Sequence, residues 1–468
     1  MLSYLESARI DANYRYFYGD LFRLMLNAGR AVSEVVEEEF GKGQRICVVC
    51  GSGNNGGDGI VAASELIKSN SVSVIALRGR ESLSTDMLKR AVETYNGPIE
   101  GPEMLDQCIA NCTIVIDAIL GVGAHGTPRE PYASAIRKIN TSGKAVVSID
   151  VPSGLGSEIA VRPHITVTFT DVKEGMTGEN SGKIVVRDIG IPRDAVYRAG
   201  PGDMLFYPYP EPGSHKGMNG TLSVFGGWSY YGSAVIAARA ALAAGCDLVK
   251  VYTTRENAPL IASHSFEYMV SSIGDSVPEE AFRSRCILLG PGLGRDFDRR
   301  IVSQIIMRAQ RIVLDADPLR LLPHLGDLSG KEVVVTPHAS EFRDMSGMDP
   351  VPENAMEFAK SHGVVVVLKG EEDIITDGNS LYRCTGGNPR MTMGGTGDML
   401  AGLISALMSK GMPALRASLL GTFINKSAAD MCMERKGLWY SVSDMIGAVP
   451  EVFLRYSDGA KINSFRAH

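Results

Sequence analysis

The sequence predicts two α/β domains, each built on a largely parallel sheet with helices packed on its faces. Short runs rich in valine and isoleucine alternate with helically spaced stretches along most of the chain. Glycine is abundant, 52 in 468 residues, and it clusters where those runs end, as tight strand-to-helix turns require. The length exceeds what one comfortable core supports, and a proline-rich break falls near the middle.

Each element follows in order. From residue 1 to about 40, apolar residues recur at three- and four-residue spacing through LFRLMLNAGRAVSEVVEEEF, a helical pattern. RICVVC reads as a strand, GIVAASELIKS as a helix and SVSVIAL as a strand. A helix near 84–95, a strand TIVIDAIL (113–120), a helix near 131–139 and a strand AVVSID (145–150) come next. HITVTFT and KIVVRDIGI close this half as strands. The βαβ series implies a Rossmann-like three-layer αβα domain. Between Ile191 and His215, five prolines interrupt any period, so this stretch reads as a linker. The expected domains are 1–205 and 206–468. In the second, TLSVFGG, an alanine-rich helix (233–245), LVKVYTT, CILLGPGLG, RIVLDADPL, EVVVTPH and VVVVLKG lead to a terminal glycine loop and helix. No solenoid period is present, and the halves differ in pattern.

Composition excludes several classes. A net charge of −6 argues against a general nucleic-acid binder. No run of about 18 apolar residues suggests a membrane span, and the N-terminus lacks the pattern of a signal peptide. Eight cysteines in so long a chain point to reduced thiols and a cytoplasmic location. Cys47 and Cys50 form C-x-x-C, and Cys108 with Cys112 could complete a zinc set. On a strand, however, positions i and i+3 face opposite ways, which favours buried apolar thiols.

The stretch GSGNNGGDG (51–59) satisfies G-x-G-x-x-G through Gly51, Gly53 and Gly56. A strand, a glycine turn and a helix start make an anion site, because free backbone N–H groups and the helix dipole face the ligand. A dehydrogenase would also place an acid at the end of the second strand, where this chain has Leu77-Arg78-Gly79-Arg80. Asp58 would repel a pyrophosphate unless a cation intervened. Asp117 and Asp150 stand at two further strand ends, followed by Gly121 and Gly123, and by Ser153 and Gly154. Asn54, Asn55, Asp58, Asp117, Asp150 and Ser153 are therefore expected to converge on one crevice. Such oxygen donors suit K⁺, Na⁺, Mg²⁺ or Ca²⁺. In the second half, Gly394-Gly395-Thr396-Gly397 leads into Asp398 and an apolar helix. Glycine amides there can cradle phosphate, with Asp398 placed as a base or as a helix cap. Lys369, after four valines, is poised at a strand end to meet phosphate, and His338 sits in a turn.

The set LMLNAG (24–29), GSGNNGGDG, DAILGVGAHGTPREPY (117–132), SIDVPSGL (148–155) and TVTFTDVKEGM (166–176) resembles the YjeF N-terminal domain, the NAD(P)H-hydrate epimerase family. The resemblance implies substrate contacts at Asn54, Asn55, Gly56, Gly57, Asp58, Gly121, Val122, Gly123, Ala124, His125, Gly126, Thr127, Tyr132 and Asp150. It also implies a K⁺ ion on Asn55, Asp117 and Ser153. Asp117 and Asp150 are the candidates for proton transfer.

SHKGMNGTLSVFGG (214–227), AARAALAAG (237–245), GPGLG, LDADPL, TPHASEF, LKGEEDII and the terminal glycine loop resemble the YjeF C-terminal domain, an ADP- or ATP-dependent NAD(P)H-hydrate dehydratase of ribokinase-like fold. Implied substrate contacts are Ser233, Ala234, Gly292, Gly294, His338 and Asp398. Implied nucleotide contacts are Lys369, Gly370, Glu371, Glu372, Asp373 and Gly397, with Mg²⁺ or backbone contacts offsetting the three acids. Trp228 and Ser233 depart from the family's usual Ser and Ala. Asp398 is the expected catalytic base. The expected activity interconverts the epimers of hydrated NADH and NADPH (NADHX and NADPHX) and dehydrates them at the expense of ADP or ATP. The alternative is a ribokinase-like kinase of a small hydroxymethyl compound fused to a non-catalytic nucleotide-binding module. The expected partners are these small molecules, without nucleic acid or membrane, and the expected assembly is a homo-oligomer.

Overall fold

The computed structural model describes residues 1–124, 126–274, 276–325 and 328–457. The chain divides into two compact units, Met1–Val196 and Tyr197–His468. Residues 197–205, expected in the first domain, pack in the second unit. There the Ala199 amide donates to the Arg383 carbonyl at 2.8 Å and Met204 joins the core.

In the first unit, helices Tyr4–Tyr18 and Phe22–Phe40 precede a sheet. Its strands among the described residues are β1 (Arg45–Cys50), β2 (Ser71–Ala76), β3 (Ile99–Glu100), β4 (Ile114–Ala118), β5 (Ala145–Ile149), β6 (Ile165–Phe169) and β7 (Lys183–Arg187). They run in the order β3-β2-β1-β4-β5-β6-β7, with every pairing parallel. The order reverses between β1 and β4, and a crevice opens at the carboxyl ends of strands where such a reversal occurs. β1 shows how both faces are filled. Ile46, Val48 and Cys50 enter one core, while Cys47 and Val49 enter the core on the opposite face. All eight cysteines are free.

The glycines after β1 serve packing first. A Cβ on Gly56 would lie 2.1 Å from the Gly51 carbonyl oxygen, so any side chain would push the helix Asn54–Leu66 away from the strand. That close seating holds the open N-terminus of the helix, which lacks a side-chain cap, over the carboxyl end of β1.

The second unit carries β8 (Thr221–Phe225), β9 (Leu248–Thr253), β10 (Met269–Ser272), β11 (Cys286–Leu289), β12 (Arg311–Leu314), β13 (Glu332–Val335), β14 (Val365–Leu368), β15 (Asp373–Thr376) and β16 (Leu381–Cys384). Their order is β10-β9-β8-β11-β12-β13-β14-β15-β16. The pairings are parallel as far as β14, and β14-β15-β16 is an antiparallel edge. Two helices that are apolar almost all round, Tyr231–Ala243 and Thr396–Ser409, pack against each other over this sheet. The helices Ala414–Lys436 and Val442–Tyr456 complete that face.

Candidate functional sites

The first unit holds a cavity of about 690 Å³ at the carboxyl ends of its strands. That volume is within the usual range for a bound cofactor or small molecule. Ser52, Gly53, Asn54, Asn55 and Asp58 reach it from the turn after β1, and Gly121, Val122, Gly123 and Ala124 from the turn after β4. Tyr132, Asp150, Thr170 and Lys173 complete its polar wall, with Asp11 from the first helix. Gly56, Gly57, Gly126 and Thr127 do not line it, and His125 lies outside the described residues.

Asp150 has φ +64, a left-handed conformation that costs a non-glycine residue about 1–3 kcal/mol and marks sites the surrounding fold over-determines. Thr170, on the same wall, has φ +69. The Lys173 Nζ lies 2.7 Å from Asp150 Oδ1 and donates to Thr168 Oγ1 at 3.0 Å and to the Phe169 carbonyl at 2.8 Å. Tyr132 OH and Ser52 Oγ are 3.2 Å apart. Burial, then Asp150 and Asp11, push the Asp58 carboxyl well above the usual carboxylate range. Raised in this way, the Asp58 carboxyl opposes an anion at the helix start less than the sequence suggested.

Asp117 stands apart from the cavity wall and is fully buried. Its carboxylate accepts from Ser148 Oγ (2.8 Å), the Ser153 amide (2.9 Å), Ser153 Oγ (2.5 Å) and the Ile119 amide (3.3 Å). Burial raises its pKa, opposed by those hydrogen bonds. With both oxygens engaged, Asp117 ties the turns after β4 and β5 together. Next to them, the Asn55 side chain is buried, and neither Oδ1 nor Nδ2 has a hydrogen-bond partner. An orphaned buried oxygen against Gly121, in the turn that follows Asp117, fits a hard cation.

The second unit gathers its polar residues at the carboxyl ends of β11 to β14. The turn Gly290–Gly294 is stitched to the loop after β8: the Gly227 amide donates to the Pro291 carbonyl (2.7 Å), and the Ser229 and Tyr230 amides donate to that of Gly292 (both 3.0 Å). A Cβ on Gly292, whose φ is +64, would fall 2.1 Å from the Tyr230 carbonyl oxygen. After β12, Asp315 is 3% exposed and precedes Ala316 at φ +58. The Lys369 Nζ donates to Asp315 Oδ1 at 3.0 Å and lies 3.8 Å from Glu341 Oε2. Burial would lower the Lys369 pKa, but Asp315 and Glu341 outweigh it and raise it.

Asp398 occupies the first turn of Thr396–Ser409, where the Lys369 ammonium lies 3.3 Å from the position of a Cβ on Gly397. Burial, then Asp315, push the Asp398 carboxyl up to about 6, opposed by a hydrogen bond from Ser233 and by Lys369. His338 caps the helix Ala339–Ser346, its Nδ1 accepting from the Glu341 amide at 3.2 Å. Ala234 is buried in the core.

The acidic stretch after Lys369 is largely neutralised from a distance. Asp373 Oδ1 accepts from the Gly370 amide at 2.8 Å, and its Oδ2 lies 3.3 Å from the buried Lys426 Nζ. Glu372 pairs with Arg383, and Lys426 also donates to the Glu371 carbonyl at 2.9 Å. Asp11, Lys173, Asp315, Glu341, Arg383 and Lys426 are the polar residues that reading the sequence missed. Asp315 and Glu341 fall inside the strand-end motifs LDADPL and TPHASEF, so position alone could have flagged them.

Two α/β units, each with polar groups at the carboxyl ends of its strands, define a protein built to bind small molecules there. Residues 21–175 match the family described as YjeF-related protein N-terminus, and 222–450 match NAD(P)H-hydrate dehydratase. The bifunctional NAD(P)H-hydrate repair enzyme Nnr of Methanothermobacter thermautotrophicus is 36% identical over 492 residues, covering 96% of this chain and 94% of that protein. The enzyme of that name from Archaeoglobus fulgidus is 36% identical over 466 residues, covering 95% and 97%. The crystal structure of an ADP/ATP-dependent NAD(P)H-hydrate dehydratase from Bacillus subtilis, co-crystallized with ATP/Mg²⁺, is 25% identical with a TM-score of 0.50. That alignment covers 56% of this chain and 99% of the other. The chain belongs to the family of bifunctional NAD(P)H-hydrate repair enzymes, with an epimerase-type YjeF N-terminal domain followed by a hydrate dehydratase domain.

Proposed function

We propose that the first unit interconverts the C6 epimers of hydrated NADH or NADPH and that the second restores the dihydronicotinamide with ADP or ATP. The observation that carries this reading is Asp398, half-buried at a glycine-rich helix start beside Lys369. Hydroxide is a poor leaving group and phosphate a good one. Asp398, largely ionised at neutral pH, takes the proton of the C6 hydroxyl as that oxygen attacks the terminal phosphorus. Lys369 and the helix-start amides meet the developing phosphoryl charge. Phosphate then leaves C6 while a proton leaves C5, which re-forms the ring double bond. Mg²⁺ would come with the nucleotide and would offset the charge of its phosphates. Gly370 and the backbone of Glu371 to Asp373 border the nucleotide, with Asp373 compensated by Lys426 and Glu372 by Arg383.

In the first unit, Asp150 is the proton-transfer group, held by Lys173. Asp117 positions the turns in place of carrying protons. Asn55, Asp117 and Ser153 are the residues that would hold K⁺, which supplies positive charge beside the helix start. The eight free cysteines suit a reducing, cytoplasmic setting. Among the described residues, no helix is long and apolar enough to cross a membrane.

Incubation with hydrated NADH and ADP or ATP, each epimer supplied separately, tests the reading through return of dihydronicotinamide absorbance. No return with either nucleotide refutes it. Build-up of a stable phosphorylated product would mark a kinase instead.

A further inference from the structure

We propose that Asp11, on the first helix, is the second proton-carrying residue of the epimerase cavity, working with Asp150. The proposal rests on the epimerase reading above. Tyr4, Ser7, Ala8 and Asp11 recur at helical spacing on Tyr4–Tyr18 and all line the cavity. This places a carboxyl against the ligand space from an element that carries no family motif. The cavity wall holds three carboxyls, Asp11, Asp58 and Asp150, but one ammonium, Lys173. That ammonium is committed to Asp150 at 2.7 Å and to two further oxygens of the strand β6 segment. Asp11 therefore faces Asp58, Asp150 and Lys173 from three other elements, with Tyr4 on its own helix. Asp11 is exposed at the cavity rim, where desolvation by the cavity walls, then Asp150, push its carboxyl up to about 6, with Lys173 opposing. Such a group exchanges protons near neutral pH, whereas burial holds the Asp58 carboxyl well above the usual carboxylate range.

Inversion at C6 needs two proton transfers. The hydroxyl takes a proton from a carboxylic acid and leaves as water, while the ring-nitrogen lone pair forms an N1=C6 bond. Water then adds to the other face, a new C6–O bond forms, the electron pair returns to nitrogen and the surplus proton passes to a carboxylate. No oxidant or net proton is consumed. One ionised and one protonated carboxyl exchange roles, so both epimers are served, and Asp11 with Asp150 supplies that pair.

The test is epimer exchange on the full chain, followed by NMR above the uncatalysed rate. Asp11→Asn is expected to lower kcat about 100-fold with KM within about threefold, and circular dichroism is expected to match the parent. Asp11→Glu keeps a carboxyl and is expected to retain at least about a tenth of the rate, with the acid limb of the pH profile displaced. Exchange within about threefold of the parent in Asp11→Asn overturns the proposal, as does an unmoved acid limb in Asp11→Glu. Asp150→Asn separates the two levels. If it is inactive while Asp11→Asn is active, only Asp11 loses its role. If both variants are active, the epimerase reading falls as well.

Discussion

Asp398→Asn is expected to trade activity for stability. The folded chain raises this carboxyl from 3.8 to about 6, chiefly by burial and then by Asp315. That is about two pH units at about 1.4 kcal/mol each, so ionised Asp398 costs about 3 kcal/mol of stability. Because the folded pKa is the higher one, stability from this group is fully present below about pH 3.8. It is lost as pH rises through about 6. Asparagine, of the same shape and never charged, removes the cost. Urea unfolding of parent and variant should show the variant more stable by up to about 3 kcal/mol at pH 8, with the gain fading by about pH 4. Nucleotide-dependent return of dihydronicotinamide should fall at least about 100-fold in the same protein. A stability difference independent of pH would refute the burial argument. Retained activity would refute the base.

Three further outcomes follow from the geometry. Lys426→Met leaves Asp373 buried without its cation and should cost about 3–5 kcal/mol in urea unfolding, with a raised KM for ADP or ATP. A melt within a degree of the parent would argue against the pair. Gly56→Ala drives a Cβ to 2.1 Å from a backbone oxygen, so the helix Asn54–Leu66 must shift. Loss of about 1–3 kcal/mol together with epimer exchange is expected, and an unchanged melting profile would refute the close seating. Replacing K⁺ by choline should slow epimer exchange in the parent but leave an Asn55→Leu variant insensitive. Equal salt responses in the two would dismiss the cation site.

Much of the fold was legible because its elements announce themselves locally. RICVVC and AVVSI are apolar runs of strand length bounded by turn residues, and parallel strands buried on both faces read in this way. The short β3 and β10, and the edge hairpin β15-β16, were not read as separate strands. Two to four residues carry no period, and the acids of GEEDII obscure the hairpin. The domain division falls earlier than expected because 197–206 looks like linker by composition, yet Arg198 bridges to Arg383 and Met204 joins the core of the second unit.

The candidate sites divide along the same line. Asn54, Asn55, Asp58, Asp150, Lys369 and Asp398 were found from sequence because each follows a strand or glycine turn, and chain position there dictates exposure to the crevice. What each of them does was decided in three dimensions. Burial raises the carboxyls of Asp58 and Asp398 by removing water from around them, and Asp117 became a tether because two turns fold onto its oxygens. The partners Lys426 and Asp11 sit on helices whose own patterns show no chemistry, and Lys173, though inside TVTFTDVKEGM, shows its role only through its contact with Asp150. The sequence by itself determined the layered α/β architecture and which strand ends carry polar groups, since hydrophobic periodicity and glycine turns are local properties. Only the tertiary structure decided charge states and pairings, because Coulomb interaction and desolvation depend on distances between elements that the order of residues does not contain.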